Sequence, residues 1–130
     1  LAPCALGNVL NSETIPRIRA KIVAGAANNQ LASVEDGARL AERGVLYAPD
    51  YVINAGGVIS VAYEYLGNST EAKVRSEVCR IPQRLRRIFT DAVSSARPTN
   101  VVADELAQQI VAKGRQTETT NRSTAGRRIA

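Results

Sequence analysis

Three short segments concentrate the side chains that could hold a small polar ligand: "APCALG" at residues 2–7, "GAANNQ" at residues 25–30 and "YAPDYVINAGG" at residues 47–57. Asn28 and Asn54 each offer a donor and an acceptor in one fixed plane, and the small residues around them let a flat ligand approach the backbone. Gly56 and Gly57 are poor helix formers, by about 1 kcal/mol each against alanine, yet they stand where a helix begins. Close approach of a ligand to the free N–H groups of that helix end would explain them. Taken singly, Gly-Gly and Asn-Asn are also ordinary turn formers. Acid–base chemistry has little to draw on. The chain has no histidine, which excludes Cys/His metal sites and leaves Cys4 without a base, so a small buried thiol is expected there. Asp50, the only carboxylate in these segments, is expected to cap a helix or close a turn. These residues describe a site for a dinucleotide-like or small polar ligand, with no general base, no catalytic residue and no metal ligand assigned.

Helix and strand signals that would position these segments alternate over the first 70 residues. "NSETIPRIRAK" reads as a helix capped by Asn11 or Ser12, feeding the strand that opens "IVAGAANNQ". "SVEDGARLAERG" repeats the pattern with Val34, Ala38, Leu40 and Ala41 on one side and Gly44 as its stop, and "VLYAPD" is the next strand, closed by Pro49. Apolar, non-alternating strands separated by helices argue for a parallel sheet. After Gly57, Val58, Val61, Ala62 and Tyr65 recur at helical spacing, and Gly67-Asn68 ends that helix. From Glu71 to Ala96 the apolar positions form one helical face, which Pro82 should kink or split near Ile81. Thr99 caps a last helix that Gly114 stops at about Lys113. The expected fold is α/β: part of a doubly wound, Rossmann-like parallel sheet followed by C-terminal helices, occupying residues 1–114. Residues 115–130 are expected to be a polar, basic, disordered tail, and there is no internal repeat.

Bulk composition narrows the classes of function. With 130 residues, 45% hydrophobic and 22% charged, the chain can bury a real core. Its apolar runs fall short of the roughly 20 residues a membrane helix needs, and a soluble, cytoplasmic protein is expected. Two cysteines 75 residues apart make no disulfide framework. Residues 1–70 carry five Lys/Arg against six Asp/Glu, while residues 71–130 carry twelve against six. That basic half admits a nucleic-acid partner through residues 73–128, but Phe89 is the only aromatic beyond Tyr65, so a solvated helical surface is the favoured reading. There is no methionine and the first residue is Leu1, so residues upstream are expected to be missing; an alternative start codon or processing would also account for it.

"APCALGNVLN", "AGAANNQL" and "RGVLYAPDYVINAGGVISVAYEYLG" resemble the C-terminal half of the nucleotide-binding domain of the glutamate/leucine/phenylalanine/valine dehydrogenases, most closely the leucine-specific members. The resemblance runs from Leu1 to about Gly114 and is strongest over residues 2–66; "RPTNVVADELAQQIVAKG" is similar to the closing helix. Such enzymes oxidatively deaminate an L-amino acid to the 2-oxo acid and ammonia with NAD. The resemblance implies that Asn28 lies near the nicotinamide ribose, that Asn54 orients substrate and nicotinamide, and that the backbone at Cys4 and Ala5 runs along the cofactor. It implies a substrate wall of Gly57, Val58 and Val61, whose branched apolar side chains suit leucine or valine, because a substrate carboxylate buried against them would be unpaired.

The family's catalytic lysines and aspartate lie in an N-terminal domain, and its Gly-rich phosphate loop lies upstream of "APCALG". The resemblance therefore implies a chain inactive by itself, completed by that domain in a homo-oligomeric enzyme. A non-catalytic remnant that binds a nucleotide or a subunit is the alternative. Tyr63 stands where leucine-specific members have Asp, Pro82 interrupts a usually continuous helix, and the tail beyond Arg115 has no counterpart.

Overall fold

Ile22–Val23 (β1) and Leu46–Tyr47 (β2) pair in parallel in the computed structural model, Ile22 opposite Leu46 and Val23 opposite Tyr47. Residues 1–67 and 70–125 are described, with side chains as far as Gly114. Parallel neighbours need a crossover, supplied here by helix α1 (Val34–Glu42). On the other side of β1, Leu1 lies beside Val23: its amino group donates to the Ile22 carbonyl and its own carbonyl accepts from Ala24 N–H, both at 3.0 Å. A further parallel bridge joins Leu10 to Leu31. Val23 is thus flanked on both sides and fully buried, at the centre of a core with Leu10, Ile15, Leu40, Val45 and Tyr47. This is the parallel α/β arrangement that the non-alternating strands imply.

The chain then turns helical, through α2 (Asp50–Ile53), α3 (Gly56–Tyr65), α4 (Glu71–Val78), α5 (Ile81–Ser95) and α6 (Thr99–Ala125). A second core of Ile88, Ala92, Val102 and Ala103 joins α5 to α6, and Val52 of α2 packs against it. Two side chains tie α6 to the sheet layer. The Thr99 hydroxyl donates to the Tyr47 carbonyl at 2.7 Å, and Asn100 Nδ2 donates to the Val34 carbonyl at 3.2 Å.

Several elements differ from the sequence reading. The helix expected over residues 11–21 is a single 3-10 turn, Ile15–Arg17, after which Ile18 is already extended. Neither Asn11 nor Ser12 caps it: the residue ahead of the turn is Thr14, Asn11 accepts from the N–H groups of Glu13 and Thr14 in the bend before it, and Pro16 contributes no donor to a longer helix. In α1 the buried residues are Asp36, Gly37 and Leu40, while Val34 is 61% exposed. The reason is α6: the Asn100 side chain fills the space beside Gly37, where an added Cβ would lie 2.0 Å from Asn100 Oδ1. The 71–96 segment splits at Cys79–Arg80 and Pro82 falls in the first turn of α5, the one place where a helix tolerates it.

Thr99 is the first residue of α6, and its hydroxyl serves β2 instead of a cap. Gly114 does not stop α6, whose last residue is Ala125. A glycine stop needs the left-handed conformation found at Gly44 and Gly67, and otherwise costs only about 1 kcal/mol within a helix. Asn68, expected to help end α3, and residues 126–130 of the expected tail lie outside the described residues.

Candidate functional site

The loops that follow Leu1, β1 and β2 converge at one end of the sheet, because parallel strands deliver their C-terminal ends to the same side. Two hydrogen bonds dock the first loop onto the second: Ala27 N–H donates to the Pro3 carbonyl at 3.0 Å, and Asn8 N–H to the Asn29 carbonyl at 2.6 Å. The approach is close enough to require glycine. A Cβ on Gly25 would lie 2.0 Å from the Pro3 carbonyl oxygen, and one on Gly7 would lie 2.9 Å from that of Asn28. Cys4 and Ala5 therefore sit beside the loop that carries Asn28, and both are exposed. Cys4 is not the buried thiol its size and the missing base suggested; the loop lies over the sheet end instead of inside the core.

The second and third loops meet through the two asparagines singled out in the sequence. Asn54 Nδ2 donates to Asn28 Oδ1 at 2.6 Å and to the Ala26 carbonyl at 3.3 Å. Among the described residues neither Asn54 Oδ1 nor Asn28 Nδ2 has a partner, which leaves one acceptor and one donor group adjacent on an exposed surface. That is the complement of a primary carboxamide, so the donor set fits the nicotinamide end of NAD.

Asp50 opens α2 immediately after Pro49. Its carboxylate accepts from Tyr51 N–H at 2.6 Å, the turn role expected of it, and also from Gln30 N–H of the neighbouring loop at 2.7 Å. Gln30, fully buried, donates through Nε2 to the carbonyls of Gly25 at 2.8 Å and Ala27 at 2.9 Å. Sequence reading passed over Gln30 and Gly25. The available signal was a lone long amide placed directly after two turn-forming asparagines. Beneath them Tyr47, 3% exposed, accepts from Asp50 N–H at 3.3 Å; burial, with the Asp50 carboxylate adding to it, pushes its phenol well above the ordinary range.

Gly57, Val58 and Val61 follow on the first turns of α3. A Cβ on Gly57 would meet nothing within 4 Å, so it is nothing in the described chain that approaches it closely. Val58 is 75% and Val61 65% exposed, one helical turn apart on the same face. The structure thus joins Asn28 and Asn54 directly, sets Cys4 and Ala5 beside them, and runs α3 away from them with two valines bare. A cavity of about 570 Å³ lies elsewhere, between α1, β2 and α5, with Phe89, Ala92 and Tyr47 in its wall. The asparagine pair is a surface feature of this chain. Among the described residues no group of His, Cys, Asp and Glu could hold a metal ion, and no helix is long and apolar enough to cross a membrane.

Comparison with known proteins gives one consistent answer. A family model described as Glutamate/Leucine/Phenylalanine/Valine dehydrogenase matches residues 1–121. The leucine dehydrogenase of Thermoactinomyces intermedius is 45% identical over 119 residues, 92% of this chain and 32% of the relative. The valine dehydrogenase of Streptomyces albus is 47% identical over 114 residues, 88% of this chain and 31% of the relative. The crystal structure of L-tryptophan dehydrogenase from Nostoc punctiforme superposes with a TM-score of 0.82 at 46% identity, covering 88% of this chain and 34% of that one. The chain spans about a third of the length of the relatives it matches.

Proposed function

The chain belongs to the glutamate/leucine/phenylalanine/valine dehydrogenase family, and from that premise we propose that its three loops form the nicotinamide side of the NAD site in an enzyme that oxidatively deaminates leucine or valine. The observation that carries this reading is the contact between Asn54 and Asn28, which leaves a donor and an acceptor side by side at the C-terminal end of a parallel sheet. Bound there, NAD would supply the hydride acceptor. The residues of this chain supply orientation. Asn54 and Asn28 hold the carboxamide, the backbone at Cys4 and Ala5 lies along the cofactor, and the open surface at Gly57 lets a flat ring come close.

Val58 and Val61 form one wall of the amino-acid pocket. Their apolar, branched surface favours an aliphatic side chain, since a polar one would be desolvated there without a partner. The reading assigns proton transfer to lysines and an aspartate of a domain ahead of Leu1, and makes the working enzyme a cytoplasmic homo-oligomer. Residues 1–114 are its nucleotide-binding portion, and the family match continues beyond them to residue 121.

The test is the protein isolated from its source. An intact mass about three times 13.9 kDa is expected from the share of the relatives that is covered, together with NADH formation that is faster with leucine and valine than with phenylalanine or glutamate. A native mass near 13.9 kDa would sink the enzyme reading and leave a remnant that binds a nucleotide or a subunit.

A further inference from the structure

We infer that Asp50 and Gln30 are the positioning residues of this site: they lock the loop after β1 against the loop after β2 so that the side chains of Asn28 and Asn54 meet. The inference rests on the reading of that pair as a nicotinamide site, but its geometry stands without a ligand. Asp50 holds both loops at once. Its carbonyl accepts from Asn54 N–H at 2.9 Å, and its carboxylate accepts from Gln30 N–H at 2.7 Å, so the two loops are separated by one residue's length. A charged acceptor makes that bond shorter and stronger than a neutral one would.

Gln30 then sets the shape of its own loop. Its two Nε2 hydrogens go to the carbonyls of Gly25 and Ala27, and its backbone carbonyl accepts from Leu10 N–H at 2.9 Å. Asn28 lies in the span so closed, followed by Asn29 in the left-handed conformation at φ 51°. The side-chain oxygen of Gln30, Oε1, is buried without a partner among the described residues. A buried amide that leaves its acceptor unpaired is kept for what its donors do, and here both donors shape the turn that presents Asn28. The three connections form one chain, Asn54 to Asp50 to Gln30 to the Gly25–Ala27 turn, and the asparagine contact closes it into a ring.

The test reads the Asn28 and Asn54 side-chain amides of the 15N-labelled full-length protein that carries this chain by NMR, first alone and then with NADH. Without ligand, Asp50→Ala and Gln30→Met should each shift the Asn54 amide pair, which donates in the contact, toward solvent-exposed values and displace that of Asn28 from its original position, while the backbone signals of α1, α5 and α6 stay in place. Asp50→Asn keeps an acceptor at the same reach and should leave the pairs near their original positions. With NADH, affinity should fall about tenfold in the first two variants and change less than about threefold in Asp50→Asn, as expected for loss against retention of one acceptor.

The inference is overturned if Gln30→Met or Asp50→Ala folds with the asparagine signals unmoved, or if Asp50→Asn is as damaging as Asp50→Ala. Should Asp50→Ala fail to fold, Gln30→Met and Asp50→Asn still decide the matter. An unsubstituted full-length protein that shows the asparagine contact but whose amides ignore NADH would count against the nicotinamide reading and leave the positioning role standing.

Discussion

Asn54 spends both hydrogens of its amide within the chain and keeps its oxygen outward, so its replacement should remove function before it removes stability. Asn54→Ala is expected to weaken NADH binding about tenfold and to lower unfolding free energy by no more than about 1 kcal/mol, because the bonds it loses are exposed. Fluorescence titration and urea unfolding measure the two quantities. Tyr47 and Tyr51 supply a second test. Burial leads the rise of both phenols, reinforced at Tyr47 by the Asp50 carboxylate and at Tyr51 by the bond its hydroxyl donates to Asp104 Oδ1 at 2.7 Å. A group that holds its proton more tightly when folded contributes stability fully below its unfolded pKa of about 10, and loses it as pH rises toward the folded value. Ultraviolet titration should therefore show Tyr47 and Tyr51 still protonated above the ordinary phenol pKa of about 10, and stability should decline above about pH 10. Ionisation of Tyr47 or Tyr51 at the ordinary phenol value would contradict the geometry.

Close approach between elements decides which glycines matter. Gly25→Ala places a methyl on the Pro3 backbone and should cost about 3 kcal/mol or more in denaturant unfolding, since main chain cannot swing aside as a side chain can. Ala96 ends α5 in the left-handed conformation at φ 51°, which suits glycine better than alanine. Ala96→Gly should gain about 0.5 kcal/mol, the relief of the strained backbone slightly exceeding the added entropy of the unfolded chain. Both effects were hidden from the sequence, in which Gly25 is one of several small residues and Ala96 an ordinary helix former. The split at Pro82, the stop at Gly44 and the parallel strands were legible, because each rests on local chemistry or on apolar pattern. The exposed Val34 and the short 3-10 turn were not. Each is set by a neighbour distant in sequence or by where the next strand must start, and no window of a dozen residues carries that information.

Across the whole chain, the asparagines of the site could be named from the loops they occupy, while the ring that aligns them could not. Asp50 and Gln30 are 20 residues apart and look like a turn carboxylate and a surface amide until the fold joins them. The same separation has a consequence for how the molecule comes together. Val23 pairs with Tyr47 on one side and lies beside Leu1 on the other, each more than 20 residues away, whereas α5 and α6 are nearly consecutive in the chain. Closing the longer loops carries the larger entropic cost, so the helical pair should form first and the three loop ends last. Pulsed hydrogen exchange during refolding would check this: amides in the middle of α5 and the first turns of α6 should become protected before those of Ala24, Ala27 and Gln30. A chain caught partway, while being made or while recovering from denaturation, would already hold its helices while Asn28 and Asn54 were still apart, so the contact between the two asparagines reports that folding has reached its end.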